Sequence, residues 1–146
     1  METPFYQVDV FSDELFGGNP LAVFLHGEDF KEAQFQQVAK EMNLSETTFV
    51  LPSSDPDADF DVRIFTPEKE IPFAGHPTLG TAFVLRHAGL VPSTQNNLRL
   101  NFKAGIIPVD LQDDGKVFMT QPPGKILQTF PNPEEMDFEK ADIVGR

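Results

Sequence analysis

Hydrophobic and polar residues alternate along several short segments of this chain, which is the pattern of strands with one buried face. Residues 5–11 (FYQVDVF) and 60–65 (FDVRIF) alternate in this way, and the uniformly apolar run Leu21–Leu25 is typical of a buried strand. The full set of predicted strands is 5–11, 21–25, 47–51, 60–65, 98–102, 106–111 and 117–120. The sequence Asp113-Asp114-Gly115 predicts a hairpin between the last two.

A first helix is predicted between Phe30 and Met42, where apolar residues recur at helical spacing on one face. Asp29 is its expected N-cap, because an aspartate side chain accepts hydrogen bonds from free N–H groups of the first turn. The apolar stripe consists of Phe30, Ala33, Val38, Ala39 and Met42. The pattern therefore indicates a surface helix with one face towards the core.

A second helix is predicted at about 77–88, and its composition differs from that of the first. Pro77 suits a first helical position, and a glycine follows the predicted end. Residues 77–85 carry no charge, and the small residues Gly80 and Ala82 permit close packing. A helix that is apolar on all sides is typical of a buried position. We therefore expect an α+β domain in which a sheet wraps this helix and the first helix lies outside.

The charge and composition exclude several functional classes. The chain has 146 residues, enough for one domain with a core, and its net charge of −12 argues against binding to nucleic acid or anionic membranes. No apolar run is long enough for a membrane span, and the first residues do not resemble a signal peptide, so we expect a cytoplasmic location. Because there is no cysteine, disulfides, thiolate metal sites and cysteine nucleophiles are excluded.

The first candidate for chemistry is Glu46, which follows Ser45 at the junction between a predicted helix and a predicted strand. A carboxyl group that is partly removed from water has a raised pKa and can both accept and donate a proton. The alternative is that Ser45 and Glu46 only satisfy backbone groups at a turn.

The second candidate is His76, which lies with Gly75 at the start of the apolar helix. A helix N-terminus offers free N–H groups and the positive end of a dipole, so a substrate carboxylate could bind there. Gly75 would let the backbone and a ligand approach closely, and the imidazole could shuttle a proton. The alternative is that His76 caps the helix and packs against Phe73.

The third candidate is Asn19, whose amide could hold a ligand carboxylate or amine. It follows Gly17 and Gly18 and precedes Pro20, and this sequence is also typical of a plain structural turn. Elsewhere the chain has no phosphate-binding or dinucleotide-binding glycine motif and no histidine spacing typical of a metal site.

Three separated motifs occur in the order in which they occur in the phenazine-biosynthesis isomerase (PhzF-like) family. The chain resembles the N-terminal half of that family from about residue 1 to residue 120. The motifs are VDVF with FGGNPLAV (8–11 and 16–23), MNLSETTF (42–49), and VRIFTP with IPFAGHPTLGTA (62–67 and 71–82).

The resemblance implies a fold like that of diaminopimelate epimerase, with two similar lobes and an active site between them. Each lobe would be a curved, mostly antiparallel sheet wrapped around a central apolar helix. The implied catalytic residues are Glu46, as the general acid and base, and His76. The implied substrate-binding residues are Asn19, Ser45, Gly75 and Thr78.

The implied reaction is the relocation of a proton on a small cyclic carboxylic acid, such as a dihydro-hydroxyanthranilate, without a metal or an organic cofactor. Glu46 would remove a carbon-bound proton and return it elsewhere on the ring, while His76 orients the substrate or assists the transfer. Related epimerases carry a cysteine near the start of the central helix. Ala74 lies at the neighbouring position here, which favours a single-glutamate isomerase over a two-thiol racemase.

The resembled family is about twice as long as this chain, and its second lobe completes the cleft. We therefore expect one lobe at 1–125 and a linker into a second lobe at 126–146. A fragment of a longer protein, a natural half-protein and a lobe completed by a partner chain, as in a homodimer, are the alternatives. An open cleft would expose Glu46 and His76 to solvent and return their pKa values towards the ordinary range.

Two other functions compete with the isomerase. A non-catalytic lobe could bind small carboxylates and self-associate through its exposed face. An amino-acid epimerase could instead use two glutamates from paired lobes that face each other.

Overall fold

The computed structural model describes residues 3–121 and 123–124, and these form one sheet, two α-helices and a 3₁₀ turn. The strands are β1 (Phe5–Val10), β2 (Asn19–Phe24), β3 (Glu46–Pro52), β4 (Phe60–Phe65), β5 (Glu70–Ile71), β6 (Asn97–Phe102), β7 (Gly105–Leu111) and β8 (Val117–Met119). The helices are α1 (Glu32–Met42) and α2 (Gly75–His87), and the 3₁₀ turn is Gly27–Asp29. Every strand and helix predicted above is present among the described residues, whereas the short β5 and the 3₁₀ turn were not predicted. The predicted linker 126–146 lies outside the described residues.

The sheet has the strand order β1-β2-β3-β4-β6-β7-β8, and β5 pairs with β4 alone. The β2–β3 and β4–β6 pairs are parallel and the others antiparallel. Each parallel pair needs a crossover connection, which α1 provides for the first and α2 for the second. Helix α2 contacts strands from both ends of the sheet, β1 and β2 as well as β7 and β8, so the sheet curls around it. This confirms the predicted α+β lobe.

Strand β2 is buried on both faces and separates two cores. Leu21 and Val23 pack into the core around α2, whereas Ala22 and Phe24 pack into a smaller core beneath α1. This second core consists largely of phenylalanine rings, among them Phe24, Phe35, Phe49 and Phe65. Helix α1 therefore lies outside the curled sheet, as predicted.

The small residue Gly80 lets α2 approach the sheet closely. A Cβ atom at this position would lie 2.7 Å from Leu21 Cδ2 and 2.8 Å from Val10 Cγ2. The predicted close packing is thus confirmed, but α2 is not covered on all sides, because Phe83 is 43% exposed. A groove of about 640 Å³ crosses this uncovered face between β1 and β8.

Helix α1 begins later than predicted, and Asp29 is not its N-cap. Asp29 belongs to the preceding 3₁₀ turn, and the N-cap is Lys31. The Lys31 backbone N–H donates to the Gln34 side-chain oxygen at 2.7 Å, which replaces the predicted aspartate cap. The buried residues of α1 are Phe35 and Ala39, whereas Ala33 of the predicted stripe is exposed.

Helix α2 begins at Gly75, two residues before the predicted start at Pro77. Proline is tolerated there because the first residues of a helix have no intrahelical acceptor for their N–H groups. The correction matters for the candidate site, since it places His76 in the first turn of the helix rather than before it. Neither helix of the described residues has the length and apolar character that crossing a membrane requires.

Candidate active site

Strand β3 directs Glu46 towards the start of α2. Side chains two residues apart in a strand point to the same face, and Thr48 and Val50 both face α2. The Thr48 hydroxyl lies 2.9 Å from the Thr81 hydroxyl inside the core, which fixes β3 against the helix. Glu46, the first residue of β3, is therefore placed beside the first turn of α2.

The Nε2 atom of His76 lies 3.2 Å from the Oε2 atom of Glu46. Both residues are only 9% exposed, and neither atom makes a hydrogen bond within the described residues. The two groups are thus in contact at ion-pair distance without a well-formed hydrogen bond. Burial lowers the pKa of the His76 imidazole, and the negative charge of Glu46 opposes that shift. The imidazole is therefore neutral at neutral pH.

The lobe buries this pair by itself, contrary to one expectation from the sequence. An open cleft was expected to leave Glu46 and His76 in contact with solvent, but this single chain already removes them from most of it. The physical reason is that the first turn of α2 and the start of β3 both lie inside the curl of the sheet. The pair keeps its low-dielectric surroundings without a second lobe.

A line of hydrogen bonds leads from Ser45 to His76 through Asn19. The Ser45 hydroxyl donates to Asn19 Oδ1 at 3.1 Å, and Asn19 Nδ2 lies 3.3 Å from His76 Nδ1. Because the Asn19 oxygen is already an acceptor, its NH₂ group faces the imidazole, and Nδ1 must accept. The proton of the neutral ring is therefore on Nε2, the nitrogen that faces Glu46.

The two remaining predicted site residues also lie in the first turn of α2. Thr78 is fully buried, and its hydroxyl donates to the Ala74 carbonyl at 2.8 Å. A Cβ atom at Gly75 would lie 3.2 Å from Met119 Cε and 3.7 Å from Gln121 Nε2. The absence of a side chain at Gly75 thus lets the helix start lie close against the end of β8. All six predicted residues converge on one region, and their roles stay predictions.

The structure does not support the alternative that His76 caps α2 and packs on Phe73. The N-cap is Ala74, and no side chain caps the helix. Phe73 packs instead against Phe102, with ring centroids 5.9 Å apart. The ring beside His76 is that of Phe11, with centroids 6.4 Å apart and planes inclined by 54°.

Sequence reasoning missed three neighbours of the site, namely Phe11, Met119 and Gln121. Phe11 ends the VDVF motif, but no local pattern gives any of the three a role in the site, because they reach α2 from β1 and β8, the two edges of the sheet. The groove between these edges includes Phe11 but neither Glu46 nor His76. We therefore define the candidate site by its chemistry rather than by the volume of the groove.

Within the part of the chain that the structure describes, no three His, Asp and Glu side chains are grouped so that they could hold a metal ion. His26 lies near Glu28 at the surface, with a 3.5 Å separation. His87 packs with Tyr6 and Phe83 at the far end of α2. Neither histidine is brought to the Glu46–His76 pair.

Comparison with known proteins identifies relatives of this lobe. A family model described as "phenazine biosynthesis-like protein" matches residues 8–144. The chain is 43% identical to the trans-2,3-dihydro-3-hydroxyanthranilate isomerase of Pseudomonas aeruginosa, over 88% of this chain and 46% of that protein. It is 40% identical to "Antisense-enhancing sequence 1" of Schizosaccharomyces pombe, over 88% of this chain and 45% of that protein. The chain thus spans less than half the length of these relatives.

Solved structures show the same relationship in three dimensions. A PhzF-family phenazine biosynthesis protein of Bacillus anthracis matches with a TM-score of 0.71 and 34% identity, over 82% of this chain and 40% of that one. A hydroxyproline epimerase of Agrobacterium vitis matches with a TM-score of 0.62 over 80% of this chain and 40% of its own, at 13% identity. The second match shows a shared fold only. Both agree with a single lobe of the diaminopimelate epimerase-like fold.

Proposed function

Because the chain belongs to the phenazine biosynthesis-like family, we propose that it is one lobe of an isomerase that relocates a proton on a small cyclic carboxylic acid. The observation that carries the proposal is the contact between Glu46 and His76, 3.2 Å apart and largely removed from water. A carboxylate and a neutral imidazole at this distance can remove a proton from a bound substrate and return one to it.

Glu46 is the general base and then the general acid of the proposed reaction. Its carboxylate removes a proton from one ring carbon, and the electron pair left behind delocalises over the adjacent unsaturated system. The proton on the Glu46 carboxyl group exchanges with solvent, and Glu46 then returns a proton to a different ring carbon. The atoms of substrate and product are the same, so the reaction needs no oxidant, reductant or co-substrate, and we propose that it needs no metal or organic cofactor.

His76 orients the substrate and stabilises charge in the proposed reaction. Its Nε2–H faces Glu46 and is free to donate to the carboxylate or to a polar group of a bound ring. Since the imidazole is neutral, it does not hold Glu46 in a permanent ion pair. Asn19 and Ser45 keep the Nε2–H tautomer in place through Nδ1.

The first turn of α2 binds the substrate carboxylate in this proposal. The backbone N–H groups of Gly75 and His76 have no intrahelical acceptor, because they belong to the first residues of the helix. Together with the helix dipole they favour an anionic ligand. Thr78 holds the turn through its hydrogen bond to Ala74. A second lobe or a second copy of this chain closes the cleft over the ring.

The test follows deuterium from solvent into the substrate. The protein in its complete natural form is incubated in D₂O with trans-2,3-dihydro-3-hydroxyanthranilate, the substrate named for its Pseudomonas relative, and the ring is examined by mass spectrometry and NMR. We expect one deuterium at the new C–H position. Glu46→Gln should abolish incorporation, whereas Glu41→Gln, at an exposed position of α1, should leave it unchanged. Unchanged incorporation in Glu46→Gln would contradict the proposal.

A second candidate function is a non-catalytic lobe that self-associates and binds small carboxylates. Three exposed apolar side chains in the loop that follows β1 favour this alternative, because such side chains often lie in interfaces; they are Phe11, Leu15 and Phe16. A pure binder would give no deuterium incorporation under any condition. Light scattering over a wide concentration range would then show a dimer whose formation Leu15→Ser weakens.

A further inference from the structure

Phe11 occupies a conformation and a position that do not serve the stability of the lobe. Its φ angle is 67°, in the left-handed region that side chains other than glycine, asparagine and aspartate rarely adopt. Its side chain is also 74% exposed, although the chain continues directly from the buried residue Val10. A backbone outlier that carries an exposed aromatic ring is a feature that points to function rather than to packing.

The loop that carries Phe11 is anchored to β1 at its base. The Phe16 backbone N–H donates to Asp9 Oδ2 at 2.9 Å, and the Gly17 N–H donates to the Glu14 carbonyl at 3.2 Å. At Gly18 a Cβ atom would lie only 2.5 Å from the Val10 carbonyl oxygen, so the loop returns in close contact with the strand. These contacts fix the backbone of the loop on both sides of Phe11.

The Phe11 ring stands beside the catalytic pair. Its centroid is 6.4 Å from that of His76, whose Nε2 atom lies 3.2 Å from Glu46 Oε2. Phe16 lies in the same loop with nearly the same φ angle, 65°, and is 93% exposed. In the described residues, however, no aromatic ring is paired with Phe16. The two phenylalanines thus share their backbone conformation and loop, and only Phe11 is near the site.

We propose that Phe11 is a specificity-determining residue that contacts the substrate, and that its ring packs against the ring of the cyclic acid held beside Glu46 and His76. This inference rests on the proposed function. A flat, unsaturated ring next to an aromatic side chain gains from offset or edge-to-face contact as well as from burial. An acyclic carboxylate gains neither. Phe11 therefore selects cyclic over acyclic acids, while the helix start recognises the carboxylate that both possess.

The test compares two ligands and three variants by NMR titration of the natural protein. The ligands are anthranilate, a cyclic carboxylate with no proton to relocate, and acetate, which presents the carboxylate alone. The variants are Phe11→Asn, Phe11→Tyr and Phe16→Asn. Asparagine removes the ring but tolerates a positive φ angle, so the loop keeps its conformation. Tyrosine restores the ring, and Phe16→Asn is the matched control in the same loop.

We expect Phe11→Asn to weaken anthranilate binding about tenfold and to leave acetate binding unchanged. Phe11→Tyr should bind anthranilate within about twofold of wild type, and Phe16→Asn should bind both ligands normally. Equal anthranilate affinity in Phe11→Asn and Phe16→Asn would overturn the inference and assign the ring to contact with another protein surface. A wild-type protein that binds anthranilate no better than acetate would also overturn it.

The outcome for Phe11 is separate from the outcome for the proposed function. If Phe11→Asn selectively loses anthranilate while the wild type incorporates no deuterium, the ring contact stands and the isomerase proposal fails. If the wild type incorporates deuterium while Phe11→Asn keeps full affinity for anthranilate, the isomerase proposal stands and the role of Phe11 fails.

Discussion

The Nε2 atom of His76 lies 3.2 Å from the Oε2 atom of Glu46, and both residues are buried within a single curled sheet. One comes from the first turn of α2 and the other from the first residue of β3. Their contact depends on the antiparallel β3–β4 pairing, which sets Thr47 opposite Phe65, so that the chain leaves β4 towards α2 at the end of the sheet where β3 begins. The chemistry of the site is therefore a consequence of the topology.

Asn19 should control which nitrogen of His76 carries the proton. In Asn19→Asp a carboxylate faces Nδ1, so we expect the proton to move to Nδ1 and the pKa of His76 to rise. Nε2 would then present a lone pair to Glu46 instead of an N–H. We expect kcat to fall by about 10²-fold with little change in KM, because the substitution changes which nitrogen of His76 carries the proton and not how the substrate binds.

The ¹⁵N chemical shifts of the His76 ring measure this change directly. The wild type should show the proton on Nε2, and Asn19→Asp should show it on Nδ1. Asn43→Asp, which adds the same charge at the C-cap of α1, should alter neither the shifts nor kcat. An unchanged tautomer together with a lower kcat would refute the positioning role of Asn19.

His76 should make the lobe less stable in mild acid. Burial lowers its pKa below the usual 6.5, and the Glu46 charge opposes this only in part. The unfolded chain therefore binds more protons than the folded chain between the folded-state pKa and 6.5. Because His76 takes up a proton more readily in the unfolded chain, the free energy of unfolding falls as the pH decreases from 6.5 towards the folded-state pKa of His76.

Urea unfolding at a series of pH values below and above 6.5 tests this dependence. In His76→Asn the part of the slope that arises from this histidine should disappear. An NMR titration should place the imidazole pKa below 6.5, and lower still in Glu46→Gln, because the opposing charge is then removed. A His76 pKa at or above 6.5 in the wild type would contradict the burial argument.

The elements of the fold were predictable because each depends on local periodicity. The alternation of hydrophobic and polar residues predicted the strands, and the uncharged segment predicted the central helix α2. The small residue Gly80 predicted the close contact of that helix with the sheet. The start of α1 was wrong because a backbone-to-Gln34 hydrogen bond took the place of an aspartate cap. The short strand β5 was missed because its two residues carry no pattern of their own.

The site was predictable in its parts but not in its geometry. Local chemistry singled out Glu46, His76 and Asn19 separately, and only the family resemblance joined them. The Asn19–His76–Glu46 line is set by strand order, and so is the approach of Phe11 from the edge strand β1. Strand pairing between segments that are far apart in the sequence cannot be predicted from the pattern of neighbouring residues.

Two adjacent buried threonines of β3 should respond in opposite ways to the same substitution. Thr47 is fully buried, and its hydroxyl has no hydrogen-bond partner in the described residues, whereas the Thr48 hydroxyl pairs with Thr81 at 2.9 Å. Thr47→Val should raise the free energy of unfolding by about 1 kcal/mol, because an unpaired buried hydroxyl is removed. Thr48→Val should lower it by about 1 kcal/mol, because the Thr81 hydroxyl loses its partner.

Urea unfolding of both variants at one pH measures the difference. Valine has the shape of threonine and suits a strand, so each variant changes the hydroxyl and little else. The double variant Thr48→Val with Thr81→Val removes both partners and should recover part of the loss. A stabilised Thr48→Val, or a destabilised Thr47→Val, would show that the hydroxyl contacts have been assigned wrongly.

Gly80 should be intolerant of even one added methyl group. A Cβ atom there would meet Leu21 Cδ2 at 2.7 Å and Val10 Cγ2 at 2.8 Å, and both of these side chains are buried. Alanine in place of glycine favours a helix by about 1 kcal/mol, but overpacking a core costs about 1–3 kcal/mol. We expect Gly80→Ala to lower the free energy of unfolding by about 1–2 kcal/mol, whereas Gly124→Ala, in open space, should have no effect.

A double-mutant cycle separates this clash from a general effect of the substitution. Val10→Ala alone should destabilise the lobe, because it leaves a cavity beside α2. When Val10→Ala is combined with Gly80→Ala, the added methyl group fills this cavity. The double variant should therefore lose less free energy of unfolding than the two single variants lose together. Strict additivity would mean that Val10 does not limit the approach of α2. Leu21 Cδ2, which lies 2.7 Å from the position of the added Cβ atom, would then be the contact that makes alanine unfavourable there.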